Sequence, residues 1–162
     1  MTSQFRNVLG YYQVIGGAFG MMVTLISLKQ LETSDPLIIG IFAGGILLYG
    51  YSMLCGVLLL RAPALALSLR LSAANQLIQM LVISSKSFTY KFFSGLAIIV
   101  HVKTVPQLAV GFKAGLSTFL FNWGFANVEV FYGLNMVAFV LFVLIIQGMK
   151  GISESGHTAR DQ

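Results

Sequence analysis

Two stretches decide how this chain is read: VLGYYQVIGGAFGMMVTLISL over residues 8–28 and LIIGIFAGGILLYGYSMLCGVLLL over residues 37–60. Neither contains a charge. A hydrocarbon layer about 30 Å thick is crossed by roughly 20 apolar residues at 1.5 Å rise each. Arg6 and Lys29 bracket the first stretch. It ends in Ser27, Leu28 and Lys29, a poor site for signal cleavage, so it reads as a retained span. Asp35-Pro36 opens the second, with Asp35 or Ser34 able to cap and Pro36 at the first helical position; Arg61 and Pro63 close it. The short connection from Lys29 to Pro36 predicts an antiparallel hairpin.

Working outward, residues 64–84 read as a third span with a polar stripe. At 100° per residue, Ser68, Ser72, Asn75, Gln76 and Gln79 fall within about 80° of one another, and Arg70 lies on the opposite side, able to snorkel. An amphipathic surface helix is the competing reading. Residues 130–149 read as a fourth span between Glu129 and Lys150, and 150–162 as a polar tail without fixed structure.

Residues 85–129 contain no run long enough to span. Period-two alternation recurs instead. Ile98, Val100 and Val102 face one way, with Ile99, His101 and Lys103 opposite. Leu108, Val110 and Phe112 repeat the pattern, as do Phe119, Phe121 and Trp123 against Thr118 and Asn122. This predicts a β-ribbon of two to four strands, joined around Val105-Pro106 and Ala114-Gly115 and held outside the hydrocarbon, where open sheet edges are not tolerated. A re-entrant pair of half-helices is the alternative.

Composition agrees with lipid as the solvent. Of 162 residues, 9% are charged and 57% are apolar; soluble domains average about 25% charged. A soluble enzyme domain, a disordered tail and a nucleic-acid module are excluded. The 10 basic residues are scattered rather than clustered, and the single cysteine, Cys55, can form neither an internal disulfide nor a metal cluster. The expected fold class is therefore all-α transmembrane. It would be a four-helix membrane bundle, one membrane domain over 1–162, with a small β-rich extramembrane insert between helices 3 and 4.

Candidate residues follow from that frame. Gly16 and Gly20 in the first span and Gly40 and Gly44 in the second are small-xxx-small pairs, expected to bring the hairpin backbones together. The stripe Ser68, Ser72, Asn75, Gln76 and Gln79 needs partners in lipid, with Gln13 and Asn135 as candidates. Phe119, Phe121 and Trp123 form an apolar face that packs on the bundle, touches headgroups or meets a partner. Tyr11, Tyr12, Tyr90, Trp123 and Tyr132 lie near span ends, as an interfacial belt would.

Catalytic signals are sparse. No carboxylate lies in mid-span, no metal-binding histidine spacing occurs, and the nucleophile-elbow and phosphate-loop motifs are missing. His101, Lys103 and Glu129 are the one set that could converge. No catalytic, cofactor or metal residue is assigned. The expected function is a non-enzymatic structural or accessory component of a membrane complex. The alternative is a passive small-solute pathway lined by the helix 3 stripe. Expected partners are the bilayer and another membrane protein or a second copy, with no nucleic acid. Loop charges place both termini in the cytoplasm.

Overall fold

The computed structural model describes residues 2–30, 35–61, 65–105, 107–124 and 129–158. Helices α1 (Ser3–Lys29) and α2 (Pro36–Arg61) form the hairpin and are the most extensively packed pair of elements. Thr2 caps α1 by accepting the Phe5 N–H at 3.3 Å, and Asp35 caps α2 by accepting the Leu37 N–H at 2.9 Å. Both helices are long and apolar enough to cross a membrane.

The rest of the chain overturns the four-span expectation. Helix α3 (Leu65–Met80) has 16 residues and is about 24 Å long, too short to cross. At Leu81 the backbone becomes strand β1 (Leu81–Ser84). Strands β2 (Phe88–Phe93), β3 (Ala97–Val105), β4 (Ala109–Gly115) and β5 (Thr118–Trp123) follow. The segment expected to begin the fourth span is strand β6 (Val130–Asn135), and α4 (Met136–Thr158) starts only there. The molecule thus has four helices and a six-stranded antiparallel sheet, with two candidate spans among the described residues; it is not a multi-pass four-helix bundle.

Length and apolarity do not separate a buried strand from a helix. Here the deciding contact is distant in sequence: β1 pairs with β6, Leu81 opposite Leu134 and Ser84 opposite Phe131. Helix α4 runs through most of the expected polar tail, whose residues 159–162 lie outside the described set, as does Pro106 of the expected turn.

The sheet order is β4-β3-β6-β1-β2-β5. It curls strongly. Gly115 on β4 lies against the Phe93 ring on β2, where an added Cβ would stand 3.3 Å from Cε2, although three strands separate them. The inner face carries an apolar core of Val82, Phe93, Ala97 and Ile99, flanked by Phe131. The outer face carries Ile98, Val102, Val110, Phe112 and Tyr132, all exposed. A second core, of Leu9, Leu59, Leu69, Ala73 and Ile145, lies among the four helices.

The sheet does not sit beyond the ends of the hairpin. It packs against the hairpin's middle, with Phe92 against Tyr49 (ring centroids 5.3 Å apart) and Phe119 against Gly45. The exposed large hydrophobics run from Val8, Ile15 and Leu47 on the helices to Val110 and Phe112 on the sheet. Inside, buried polar side chains are as numerous as buried apolar ones among the described residues. Soluble folds show the opposite distribution.

Glycine makes the closest approaches possible, at positions that match those expected only in part. Gly20 faces the Tyr49 ring, and Gly56 faces the Gly10 carbonyl, where a Cβ would be 2.5 Å away. Gly16 turns to the sheet, where a Cβ would stand 2.5 Å from the Gly95 nitrogen. Gly40 and Gly44 have nothing within 4 Å, because Gly45, Tyr49, Ser52 and Gly56 occupy the inward stripe of α2; they are not the packing pair. Gly16→Ala forces two backbones apart and should lower the thermal unfolding midpoint in detergent, by about 1–3 kcal/mol of stability. Gly44→Ala should leave the midpoint unchanged or raise it.

Candidate functional site

Between the two apolar cores lies a polar layer. Three helices and two connections contribute to it: Gln13 from α1, Ser52 from α2, Ser72, Asn75, Gln76 and Gln79 from α3, Ser94 after β2 and Ser117 before β5. All are buried. The spacing that put the α3 stripe on one helical face turns it inward here. Ser72 donates to Gln13 Oε1 at 3.2 Å, Asn75 Nδ2 to Ser52 Oγ at 3.1 Å, and Ser52 Oγ to Ser94 Oγ at 3.0 Å. Gln79 Oε1 accepts the Ser94 N–H at 2.7 Å. Ser117 Oγ accepts the Gly95 N–H at 2.7 Å and donates to the Gly16 carbonyl at 2.8 Å.

At the far end of the stripe, Ser68 donates to the Leu58 carbonyl at 3.3 Å. The layer therefore bolts the helices to the sheet. Some capacity remains: Gln13 Nε2, Asn75 Oδ1, Gln79 Nε2 and both amide atoms of Gln76 have no hydrogen-bond partner.

The second feature is the inner face of the curled sheet. Strand alternation places His101 and Lys103 of β3, Lys113 of β4 and Lys91 of β2 on the parity that points inward, beside Val82, Ile99 and Phe93. His101 lies opposite two glycines, Gly111 and Gly133. A Cβ on Gly111 would be 2.8 Å from the imidazole, so glycine makes room for the ring. His101 is 4% exposed, its Nδ1 has no partner, and its ring meets Phe131 edge-on at 5.6 Å.

Lys103 Nζ is paired with Glu129 Oε1 at 2.9 Å. The other two lysines have aromatic neighbours instead. Lys91 Nζ is 5.3 Å from the Phe93 ring centroid, and Lys113 Nζ is 5.5 Å from that of Phe131. No carboxylate among the described residues is in salt-bridge contact with either.

The charge states follow. Burial lowers the His101 pKa below its ordinary 6.5, and Lys113 and Lys103 lower it further, against a weaker pull from Glu129. Burial and Lys113 lower Lys91. The hydrogen bond from Lys103 holds Glu129 below its usual range.

The expected trio of His101, Lys103 and Glu129 is brought together on this face. Lys91 and Lys113 were missed because their nearness depends on curling; the available signal was a lysine at the inward parity of an otherwise apolar strand. Gln13 joins the α3 stripe directly, and Asn135 reaches it by donating to the Gln79 carbonyl at 3.4 Å.

The apolar face expected at Phe119, Phe121 and Trp123 is divided. Phe119 packs against Gly45 and Phe92, Phe121 and Trp123 both meet Phe88, and Trp123 stays exposed. Phe119 and Phe121 also border a groove of about 400 Å³ between the hairpin and β5, with Val23, Ile38 and Phe42. Gly40 and Gly44 line a neighbouring groove. The described residues contain no group of three metal-ligating side chains. No protein-family model matches this chain, and neither a curated protein nor a solved structure does.

The lowered His101 pKa sets the sign of a pH effect. The unfolded chain takes up a proton near pH 6.5, and the folded chain does so only at lower pH. This contribution to stability is complete above 6.5 and is lost as pH falls through the folded value. The unfolding midpoint should therefore fall between about pH 7.5 and about 5, and His101→Gln should flatten that slope. An equal slope in the variant would show that another group titrates.

Proposed function

We propose that this chain is a non-enzymatic component of a membrane assembly, built to complete its own sheet with a strand from a second polypeptide. In this reading α1 and α2 cross the bilayer as a hairpin, and the curled sheet lies beside the hairpin with its outer face in contact with lipid. Two helices of suitable length and a continuous apolar exterior support it.

Phe5 and Met149 pack against one cluster, so the start of α1 and the end of the apolar part of α4 share one end of the molecule. Arg6, Arg61 and Lys150 border the apolar segments there, which supports a cytoplasmic location for that end and for both termini.

The observation that carries the proposal is the open edge at β4. That strand pairs with β3 and, among the described residues, has no strand on its other side. The opposite edge, β5, is flanked by α1 and α2. Val110 and Phe112 on β4 are 67% and 74% exposed. In lipid each unpaired backbone group costs several kcal/mol. In water an exposed apolar edge is a template for another strand. Either surrounding therefore favours a partner at β4, from a second copy or from a different membrane protein.

A second reading, a passive small-solute pathway along the α3 stripe, draws on the unspent amide atoms of Gln76 and Gln79. It requires solute flux through liposomes containing the purified chain alone, altered by Gln79→Leu.

Extraction in mild detergent tests the first reading. Wild type should elute as a complex, while Val110→Asp with Phe112→Asp should elute as a monomer from membranes that still retain it after carbonate washing. A wild-type chain that elutes alone, at the same size as the variant, would overturn the reading.

A further inference from the structure

The inner face of the sheet carries two ammonium groups that make no salt bridge among the described residues; Glu129, already hydrogen-bonded to Lys103, is the one acid that Lys113 acts on electrostatically there. Lys91 and Lys113 come from strands β2 and β4, second and sixth by their distance from the β5 edge; strand parity puts both on the inner face, and the curl brings them close enough to act on each other. The floor beneath them is aromatic and aliphatic: Phe93 under Lys91, Phe131 under Lys113, with Val82, Ala97 and Ile99 between. Lys103 is already neutralised by Glu129.

His101, against Phe131, is nearly fully buried with Nδ1 unpartnered. Lys113 is exposed and Lys91 half-buried, so the face is open to a solute. Like charges held near a low-dielectric floor repel, and a bound anion of matching size reverses that cost. Ammonium groups bind phosphate oxygens as point charges with several donors each, and a neutral imidazole can donate to a third oxygen.

We propose that this inner face is a binding site for a phosphate group, held between Lys91 and Lys113 with His101 beside it. The chemistry is shared by a phosphomonoester lipid headgroup and by free phosphate. The site stands apart from the β4 reading, because none of its three side chains lies on the outer face that β4 exposes.

Two probes distinguish the sources. Inorganic phosphate is titrated into the full chain in neutral detergent, and separately the chain is placed in nanodiscs of phosphatidylcholine with or without phosphatidic acid. The readouts are the unfolding midpoint and the His101 ring signals by NMR. At least one probe should raise the midpoint and shift His101 titration upward, since a nearby anion favours imidazolium. Lys91→Gln and Lys113→Gln should each weaken the response about tenfold or more. Lys86→Gln, on the exposed turn between β1 and β2, should preserve it.

The lysine variants also report on their own folding. Each removes a like-charge contact together with a lysine–aromatic contact of opposite sign, so without phosphate its midpoint should stay close to that of wild type. A response to phosphatidic acid alone assigns the site to lipid, and one to inorganic phosphate assigns it to a soluble ligand. No response to either probe, or an equal response in the double variant Lys91→Gln/Lys113→Gln, would overturn the proposal.

Discussion

Everything in this molecule hangs from the level at which two helices become two strands. Helix α3 runs into β1 at Met80–Leu81, and β6 runs into α4 at Asn135–Met136, with no loop at either point. Such a change strands the last carbonyls of one helix and the first N–H groups of the other. Asn135 serves both ends. Its Oδ1 accepts the Val137 N–H at 3.2 Å and its Nδ2 donates to the Gln79 carbonyl at 3.4 Å. The Gln79 side chain then reaches the backbone where β2 ends, at Ser94. Because α3 packs on α4 directly below the β1–β6 pair, the helical pair and the strand pair form one continuous rod. The other four strands are laid down on either side of it.

The polar layer follows from this geometry. Where a helix bundle gives way to a sheet, neither hydrogen-bonding pattern continues across the boundary, and side chains must supply the missing partners. Serine and amide side chains from α1, α2 and α3 converge at that depth. Each such bond contributes roughly 0.5–1.5 kcal/mol net. Their larger effect is on specificity, since a sheet placed one residue out of register would leave several buried amides unpaired. The apolar exterior completes the inversion. In the proposed membrane setting, burial of apolar groups would discriminate little between arrangements, and close glycine contacts and internal polar bonds would decide among them.

Local pattern made part of this legible. The hairpin could be read from two charge-free runs and the Asp35 cap, and the alternation at 98–103, 108–112 and 118–123 falls on β3, β4 and β5. The stripe on α3 was visible because 100° periodicity is a property of one helix. The short strands at 81–84 and 130–135 were not visible, because their pairing joins segments far apart and both are as apolar as a span. For the same reason the α2 half of the glycine motif misled. Gly40 and Gly44 have the right spacing, but only the crossing of α1 and α2 shows that Gly45 and Gly56 are the ones facing inward. The lysine face needed one step more, since strand parity gives the direction of each side chain while curvature decides which strands meet.

The two edges of the sheet are unequal for a reason that the hairpin supplies. Strand β5 continues from Ser117, which is tied to the Gly16 carbonyl, so it rises along α1 and α2 and its edge is covered by them. Strand β4 ends just before that tie and lies on the far side of the curl, where no helix packs extensively on it among the described residues. Curling brings β4 and β5 close at their joined end, but they do not hydrogen-bond, so the sheet stops short of a closed barrel. A closed barrel would have no edge to satisfy and would leave its inner face enclosed. An open one keeps both a backbone edge and a charged inner face available, and the same curvature that gathers Lys91 and Lys113 is what leaves β4 unpaired.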